Sequence, residues 1–388
     1  MTTTFETLGV SAPLVAALAD RGIHEPFAIQ TLSIADAIEG HDVCGKAKTG
    51  SGKTLAFGLP TLQRIPKATP ARPTGIVLVP TRELAIQVRD ELAPLGEAVG
   101  RTVVAVYGGE PIDRQISALQ AGTDLMVCTP GRVIDLIERN ELSVADVGIV
   151  IVDEADRMAD MGFLPQVEWI LRNIEGGHQT LLFSATLDGA VDSLIQRYQH
   201  EPRLHEVESP TVTVEEMQHR FLHVHEMDRV RVAAALIRSA RRTMVFTATK
   251  HGADRLATRL EEEGVRARPI HGDLRQQLRE QTLARFAEGR LDALVATDVA
   301  ARGIHVDDVD VVIHFDPPSD HKSYLHRSGR TARAGTSGLV VTFCLWNQEL
   351  DVKRLMKRIG VQQPIVEMFS NDERLDDLAA WDPATVVR

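Results

Sequence analysis

The chain contains 388 residues, of which 44% are hydrophobic, 25% are charged and 4% are aromatic, and its formal net charge is −11. This length predicts two or three domains of about 100–200 residues each. No apolar run approaches the roughly 20 residues that span a bilayer, and the first residues lack the basic and apolar regions of a secretory signal, so we expect no membrane association. The three cysteines lie far apart, which excludes a paired-cysteine zinc site and favours a reducing, cytoplasmic location.

Short apolar runs alternate with polar helical stretches along the chain, a pattern typical of parallel α/β domains. The predicted strands of the first half are 75–79, 102–107, 124–128, 147–152 and 180–183, with helices such as 82–92 and 113–119 between them. A second series has predicted strands at 243–246, 268–270, 293–296, 309–315 and 338–343. We therefore predict an N-terminal domain over 1–206, a linker over 207–216, a second α/β domain over 217–368 and a short acidic tail over 369–388.

Residues 47–54 read Ala-Lys-Thr-Gly-Ser-Gly-Lys-Thr, similar to a phosphate-binding loop except that alanine replaces its first glycine. The two glycines allow a tight turn that aims backbone N–H groups at phosphate oxygens. The lysine can reach the β- and γ-phosphates, and the last threonine can ligate Mg²⁺. A glycine-rich turn with a solvated lysine is the alternative interpretation. The predicted nucleotide-binding residues here are Ala47, Lys48, Thr49, Gly50, Ser51, Gly52, Lys53 and Thr54.

The second motif is acidic: Asp-Glu-Ala-Asp at residues 153–156 follows the apolar run 147–152. A buried parallel strand would deliver Asp153 and Glu154 at its carboxyl end. Asp153 can then hold a metal ion while Glu154 orients an attacking water. An acidic cluster alone is more often a solvated face. Because both motifs end apolar runs about a hundred residues apart, together they predict binding and hydrolysis of a nucleoside triphosphate.

The acidic net charge does not decide whether the chain binds nucleic acid, because backbone binding depends on the groups that line a groove. The second half adds Thr-Ala-Thr-Lys at residues 247–250, His-Gly-Asp at 271–273, Ala-Thr-Asp-Val-Ala-Ala-Arg-Gly-Ile at 296–304 and His-Arg-Ser-Gly-Arg-Thr-Ala-Arg at 326–333. With these motifs, the series resembles the DEAD-box family of ATP-dependent RNA helicases, in superfamily 2, over residues 5 to about 335. The resemblance implies an α/β fold of two tandem RecA-like domains, each a mainly parallel sheet flanked by helices. It also implies ATP and Mg²⁺ as cofactors, RNA as the partner, and a monomer.

The stretch Gly-Ile-His-Glu-Pro-Phe-Ala-Ile-Gln at residues 22–30 looks like the family's Q motif, with Phe5 as its upstream aromatic residue. By this resemblance Phe5 and Gln30 contact the nucleotide. The amide of Gln30 can donate and accept together, so it can read the N6/N7 edge of adenine. A polar residue at a helix start is the alternative.

The residues that the resemblance assigns to RNA follow predicted strands in both domains, where ligands gather in this fold class. Hydroxyls, glycine amides and arginines there would contact the phosphates and sugars of a strand without reading its sequence. Taken singly, the arginines could instead be solvated or capping charges. The predicted RNA-binding residues are Thr81, Arg82, Gly109, Thr129, Arg132, Thr249, Gln276, Arg279 and Thr297.

The remaining motifs imply coupling between nucleotide state and domain closure, and completion of the catalytic site. Asp156, Ser184, Thr186 and His326 correspond to the family's coupling residues, although Ser184 to Thr186 could also be a helix N-cap. Arg330 and Arg333 correspond to arginine fingers, and their i, i+3 spacing predicts one helical face. His305 stands where the family usually has the aspartate that approaches the ribose. The catalytic set is therefore Lys53, Glu154, Arg330 and Arg333, with Thr54 and Asp153 as metal ligands.

The resemblance therefore implies an RNA-stimulated ATPase in which closure of the cleft between the domains bends one strand and unwinds short RNA duplexes or remodels ribonucleoproteins. An ATP-gated RNA clamp with little unwinding is the alternative, and a DNA helicase or translocase is a second one.

Overall fold

The computed structural model describes residues 3–47, 50–187, 189–207, 217–301, 309–331 and 338–383. The chain divides into two compact units, Met1–Ser209 and Pro210–Arg388. Several residues singled out in the sequence lie outside the described ranges. These are Lys48 and Thr49 of the phosphate loop, most of the predicted linker, His305 and Arg333.

The first unit alternates strands and helices as the sequence predicts. Its described strands are β1 Val43–Lys46, β2 Gly75–Leu78, β3 Val103–Val106, β4 Leu125–Cys128, β5 Ile149–Asp153, β6 Gln179–Ser184 and β7 Arg203–Glu206. Its described helices are α1 Ala12–Asp20, α2 Ala28–Glu39, α3 Lys53–Arg64, α4 Arg82–Ala98, α5 Ile112–Gln120, α6 Pro130–Glu138, α7 Ala155–Asp160, α8 Leu164–Arg172 and α9 Ala190–Tyr198.

The described strands of the first unit form one parallel sheet in the order β3-β4-β2-β5-β6-β1-β7. Alternate residues of each strand point to opposite faces. Val77 and Ile151 therefore join a core on one face, while Ile76 and Val150 join a second core on the other. Because both faces are covered, these strands read as continuous apolar runs, which made them visible in the sequence.

The second unit repeats this architecture. Its described strands are β8 Gln218–His223, β9 Thr243–Phe246, β10 Ala267–Ile270, β11 Ala293–Ala296, β12 Val311–His314, β13 Leu339–Cys344 and β14 Ile365–Glu367. Its described helices are α10 Arg229–Arg238, α11 Lys250–Glu262, α12 Gln276–Ala287, α13 Asp298–Ala301, α14 His321–Ser328 and α15 Glu349–Ile359. The strands form a parallel sheet in the order β10-β11-β9-β12-β13-β8-β14. The predicted fold class is thus confirmed.

The sequence pattern did not predict β1, β7, β8 and β14. Strand β1 is short and contains Gly45, where a side chain would collide with the ring of Phe183 on β6. Strands β7 and β14 lie at sheet edges, so part of each stays exposed and no apolar run marks it.

The segment from Phe369, expected as an acidic tail, packs onto the second unit. Leu375 and Leu378 are buried in its main core. Arg220 of β8 donates hydrogen bonds to the carbonyl oxygens of Leu378 and Trp381, at 3.1 and 2.5 Å. This segment is therefore part of the folded unit up to the last described residue. No helix in the described part of the chain is long and apolar enough to cross a membrane.

Candidate active site

The phosphate loop lies between the end of β1 and the start of α3. Gly50 and Gly52 both have φ of 82°, a left-handed conformation that favours glycine. A Cβ at Gly52 would also collide with the side chains of Gln30 and Phe27. At the other end of the loop, the amide of Ala47 donates to the carbonyl of Ser184 at 3.0 Å. The loop is therefore anchored on both sides, with Ser51 half-buried between its glycines.

Lys53 and Asp153 lie together beneath this loop. The Lys53 Nζ donates to the carbonyl of Ala47 at 3.1 Å and lies 3.9 Å from an Asp153 carboxylate oxygen. Both side chains are buried. Burial raises the pKa of Asp153 to about 6, although the Lys53 ammonium opposes this shift. The structure thus brings together a buried cation and a buried carboxyl that is costly to ionise without a positive partner.

Glu154 follows Asp153 at the N-terminus of α7, with a left-handed backbone at φ 54°. Its carboxylate accepts a hydrogen bond of 2.5 Å from Arg157 Nη1, one turn along the helix. Asp153 in turn accepts from the amide of Glu154 at 2.9 Å. The two acids of the motif therefore have distinct surroundings, one beside a lysine and the other beside an arginine.

Gln30 has the surroundings of a helix-start residue. Its side-chain oxygen accepts from the amide of Phe27 at 2.8 Å, and its nitrogen donates to the carbonyl of Gly52 at 2.9 Å. Phe5, expected to contact the nucleotide, is 2% exposed and belongs to the core. The exposed ring beside the loop is Phe27, at 59%, which the sequence analysis did not assign a role.

Thr54, the second predicted metal ligand, lies in the first turn of α3. Its hydroxyl lies beside the carboxyl of Glu91 on α4. Burial raises the pKa of Glu91, and the Thr54 hydroxyl opposes that shift. Because a hydroxyl that points its proton at Glu91 keeps its lone pairs, the Thr54 oxygen can ligate a metal ion without leaving this contact.

A hydrogen bond links the acidic motif to the end of β6. Ser184, which is fully buried, accepts from the amide of Asp156 at 3.1 Å. Thr186, two residues later, is exposed. The predicted coupling residues of the first unit therefore include one direct pair, Asp156 and Ser184.

The predicted RNA-binding residues of the first unit follow three neighbouring strands, β3, β4 and β2. Thr81 caps α4 by accepting from the amide of Leu84, and the guanidinium of Arg82 packs against Gly109. Arg132 Nη2 donates to the carbonyl of Glu110 at 3.2 Å, and burial lowers the pKa of Arg132. The half-buried Thr129 precedes α6. The structure thus gathers these residues at one half of the sheet's carboxyl edge. The phosphate loop, the acidic motif and Ser184 lie at the other half, at the ends of β1, β5 and β6.

The second unit shows the same placement after β10, β11 and β9. Thr249 caps α11 by accepting from the amide of Gly252 at 3.0 Å. Gln276 and Arg279 lie one turn apart at the start of α12, and Thr297 follows β11; all three are buried. Among the described residues, the Gln276 side-chain oxygen is buried without a hydrogen-bond partner.

Arg330 of the arginine-rich motif does not lie on a helix as predicted, and Arg333 is outside the described residues. Helix α14 ends at Ser328 and Gly329 follows as its C-cap, so Arg330 lies beyond the helix. Glycine is a poor helix former, which accounts for the early end. His326 is exposed in the last turn. Among the described arginines of this motif the buried one is Arg327, which the sequence analysis did not single out. Arg327 forms a bidentate ion pair with Asp298, in which its Nε and Nη2 donate to the two carboxylate oxygens at 2.6 and 2.8 Å.

Sequence models of two protein families match the chain. The DEAD/DEAH box helicase model matches residues 27–194, and the helicase conserved C-terminal domain model matches residues 224–335. The DEAD-box ATP-dependent RNA helicase CshA of Bacillus cereus is 40% identical over 98% of this chain and 76% of its own length. This chain belongs to the DEAD-box RNA helicase family. The resemblance seen in the sequence is thereby confirmed.

A further sequence relative and two solved structures support the same family assignment. The CshA protein of Geobacillus kaustophilus is 41% identical over 98% of this chain and 85% of its own length. Among solved structures, S. cerevisiae Dbp5 bound to RNA and ADP BeF3 is similar with a TM-score of 0.79 and 28% identity, covering 95% of this chain and 96% of that one. Mss116p bound to ssRNA and AMP-PNP has a TM-score of 0.78 and 25% identity, covering 97% of this chain and 81% of that one.

The sequence analysis did not identify two arginines of the site, Arg157 directly after the acidic motif and Arg327 within the arginine-rich motif. Arg157 and Arg327 each form an ion pair with an acidic residue of a motif, and both are largely buried. For Arg157 a signal was present, since it lies three residues after Glu154 at a helix start, where side chains meet. The partner of Arg327 is 29 residues away in sequence, so no local pattern could reveal that pair.

Proposed function

We propose that this protein is an ATP-dependent RNA helicase that couples RNA-stimulated ATP hydrolysis to local separation of short RNA duplexes. The observation that carries the proposal is the buried pair of Lys53 and Asp153, 3.9 Å apart beneath a left-handed glycine loop. This is the arrangement that triphosphate and metal binding need. The relatives named as ATP-dependent RNA helicases, and the Dbp5 structure with RNA and ADP BeF3, support ATP and RNA as the two ligands.

The donor set beneath the loop suits Mg²⁺, which prefers oxygen ligands. Asp153 would hold the ion, and its raised pKa reflects a buried carboxyl that a cation would favour in its ionised form. Thr54 would add its hydroxyl oxygen, whose lone pairs remain available while its proton faces Glu91. When bound, the ion neutralises charge on the β- and γ-phosphates.

Each catalytic side chain then has a distinct task. Lys53 places a positive charge against the phosphates, where it stabilises charge that develops during transfer. Glu154 accepts a hydrogen bond from the attacking water and thereby orients it. Arg330 and Arg333 act as arginine fingers on the γ-phosphate, a contribution that can reach about 10³–10⁵ in rate.

We propose that RNA lies across the residues that follow β3, β4 and β2 in the first unit and β10, β11 and β9 in the second. The hydroxyl of Thr81 and the largely buried guanidinium groups of Arg132 and Arg279 suit contacts to phosphates and sugars. Such contacts fix the position of a strand without reading its bases, so we expect little sequence preference.

The catalytic cycle is proposed to be a gated conformational change. Binding of ATP and RNA closes the cleft between the two domains, brings in the arginine fingers and bends the bound strand. The hydrogen bond between Asp156 and Ser184 connects the acidic motif to the end of β6, and it would transmit the nucleotide state. Hydrolysis and phosphate release reopen the cleft.

An ATPase assay beside a strand-displacement assay tests this function. We expect RNA, and not DNA of equal length, to stimulate hydrolysis, and ATP to drive release of a short RNA strand. ATP-dependent retention of RNA without strand release would instead indicate an RNA clamp. Equal stimulation by DNA would indicate a DNA helicase or translocase.

A further inference from the structure

Arg157 and Glu154 form a close and largely buried ion pair at the start of α7. The Arg157 Nη1 lies 2.5 Å from a Glu154 carboxylate oxygen, and the two side chains are only 12% and 8% exposed. Attraction between charges is stronger in such surroundings than in water. A carboxylate held this way loses rotational freedom, so its orientation is set by the arginine.

The same guanidinium is incompletely satisfied. Its Nε and Nη2 groups are buried, and neither has a hydrogen-bond acceptor among the described residues. A buried donor without a partner costs about 1–3 kcal/mol. Glu154 also has a left-handed backbone at φ 54°, which is uncommon for a residue with a side chain. This local arrangement is therefore poorly explained by stability alone, and such features concentrate at functional sites.

We propose that Arg157 is a positioning residue for ATP hydrolysis. It holds the Glu154 carboxylate in the orientation from which Glu154 directs the attacking water, and it acts on the reaction only through Glu154. This inference rests on the proposed role of Glu154. A misplacement of a catalytic group by about 1 Å can cost up to roughly a hundredfold in rate, so a side chain that fixes one orientation affects kcat. Because Arg157 is not proposed to contact ATP, its loss should leave KM little changed.

Four variants of the full chain test this proposal: Arg157→Gln, Arg157→Lys, Glu154→Gln, and the double variant that combines Glu154→Gln with Arg157→Gln. We expect Arg157→Gln to lower the RNA-stimulated kcat by about tenfold or more, with KM for ATP changed less than about twofold. Arg157→Lys keeps the charge and should recover part of the loss. In the Glu154→Gln background, Arg157→Gln should change nothing further, because residues that act as a unit are not additive.

Arg172→Gln is the matched control, since Arg172 forms an exposed ion pair with Glu168 in the same unit. It should leave kcat and KM unaltered. Thermal unfolding of every variant separates loss of structure from loss of positioning. If Arg157→Gln does not fold, the kcat of Arg157→Lys is compared with that of the native protein instead.

An unchanged or increased kcat in Arg157→Gln, or an equal further loss in the Glu154→Gln background, would overturn the proposal. A parental rate in Glu154→Gln alone would instead refute the role of Glu154 within the proposed function. The two failures are therefore distinguishable.

Discussion

The side-chain nitrogen of Gln30 donates a hydrogen bond of 2.9 Å to the carbonyl oxygen of Gly52, the last residue before α3. The oxygen of the same amide accepts from the backbone of Phe27. One glutamine thus joins the start of α2 to the phosphate loop. A primary amide retains a second N–H and a second lone pair, so Gln30 can still face a base while it holds the loop.

Substitution of Gln30 by alanine tests both roles. We expect KM for ATP to rise by up to about tenfold, because the part-buried hydrogen bond from Gln30 to Gly52, worth about 0.5–1.5 kcal/mol, no longer holds the loop. We also expect the native protein to prefer ATP over GTP and the variant to lose that preference, since guanine presents an acceptor where adenine presents a donor amine. Steady-state kinetics with both nucleotides measure this.

Gln63→Ala is the control for that experiment, because Gln63 also bridges two backbone groups, Ser11 and Gly9, elsewhere in the first unit. It should leave both nucleotides unaffected. Equal turnover of GTP and ATP by the native protein would contradict the adenine-reading role, whereas an unchanged KM in Gln30→Ala would contradict the loop-anchoring role.

Arg220→Ala should destabilise the second unit. The change removes the donor that reaches the carbonyl oxygens of Leu378, Ala379 and Trp381 and the cation that lies over the Trp381 ring. We expect a loss of about 2–3 kcal/mol in the free energy of unfolding, measured by urea denaturation of the full chain. Arg354→Ala, which breaks an exposed pair with Asp351, should cost less than about 1 kcal/mol. Equal effects of the two changes would show that the C-terminal segment is not held by Arg220.

The buried His314 predicts loss of stability in mild acid. Burial lowers its pKa well below the usual 6.5, and the nearby Arg327 and His219 add to the shift. The ring is hydrogen-bonded to Thr342 and packs against Tyr324. Since the unfolded chain takes up this proton first, the free energy of unfolding should fall as pH drops below about 6.5, by up to about 1.4 kcal/mol per pH unit.

His314→Asn removes this titrating group, so stability should depend less on pH between about 6.5 and 5. His251→Asn, at an exposed position on α11, is the control and should keep the native slope. Urea denaturation at a series of pH values gives both slopes. If native protein and His314→Asn lost stability in parallel, the acid sensitivity would arise elsewhere.

The sequence predicted the fold well because the central strands are buried on both faces. Each of the ten predicted strands overlaps an observed one, as the run 147–152 overlaps Ile149–Asp153. Strand β7 was missed because its residues lie at an edge and remain largely exposed. The helical placement of Arg330 was wrong because the i, i+3 spacing alone does not show that Gly329 ends the helix.

Contacts within the site were less predictable than the motifs that build it. The motif spacing identified Lys53 and Asp153, and the structure brings them together. The contact between the Thr54 hydroxyl and the Glu91 carboxyl depends on how α3 packs against α4, which no local pattern specifies. Likewise, the burial of Phe5 follows from tertiary packing and not from its distance to the Q motif.

RNA-stimulated ATP hydrolysis by the native protein and by Lys53→Ala tests the central claim most directly. Removal of Lys53 takes away the buried charge beneath the loop, so we predict that RNA stimulates the native protein and that the variant loses roughly a hundredfold or more of that rate. Circular dichroism should show an intact fold. The control is Lys67→Ala, which breaks a pair with Asp124 just before β4, at the edge of the sheet opposite to the motifs. A Lys53→Ala protein that hydrolyses ATP at the native, RNA-stimulated rate would contradict the account.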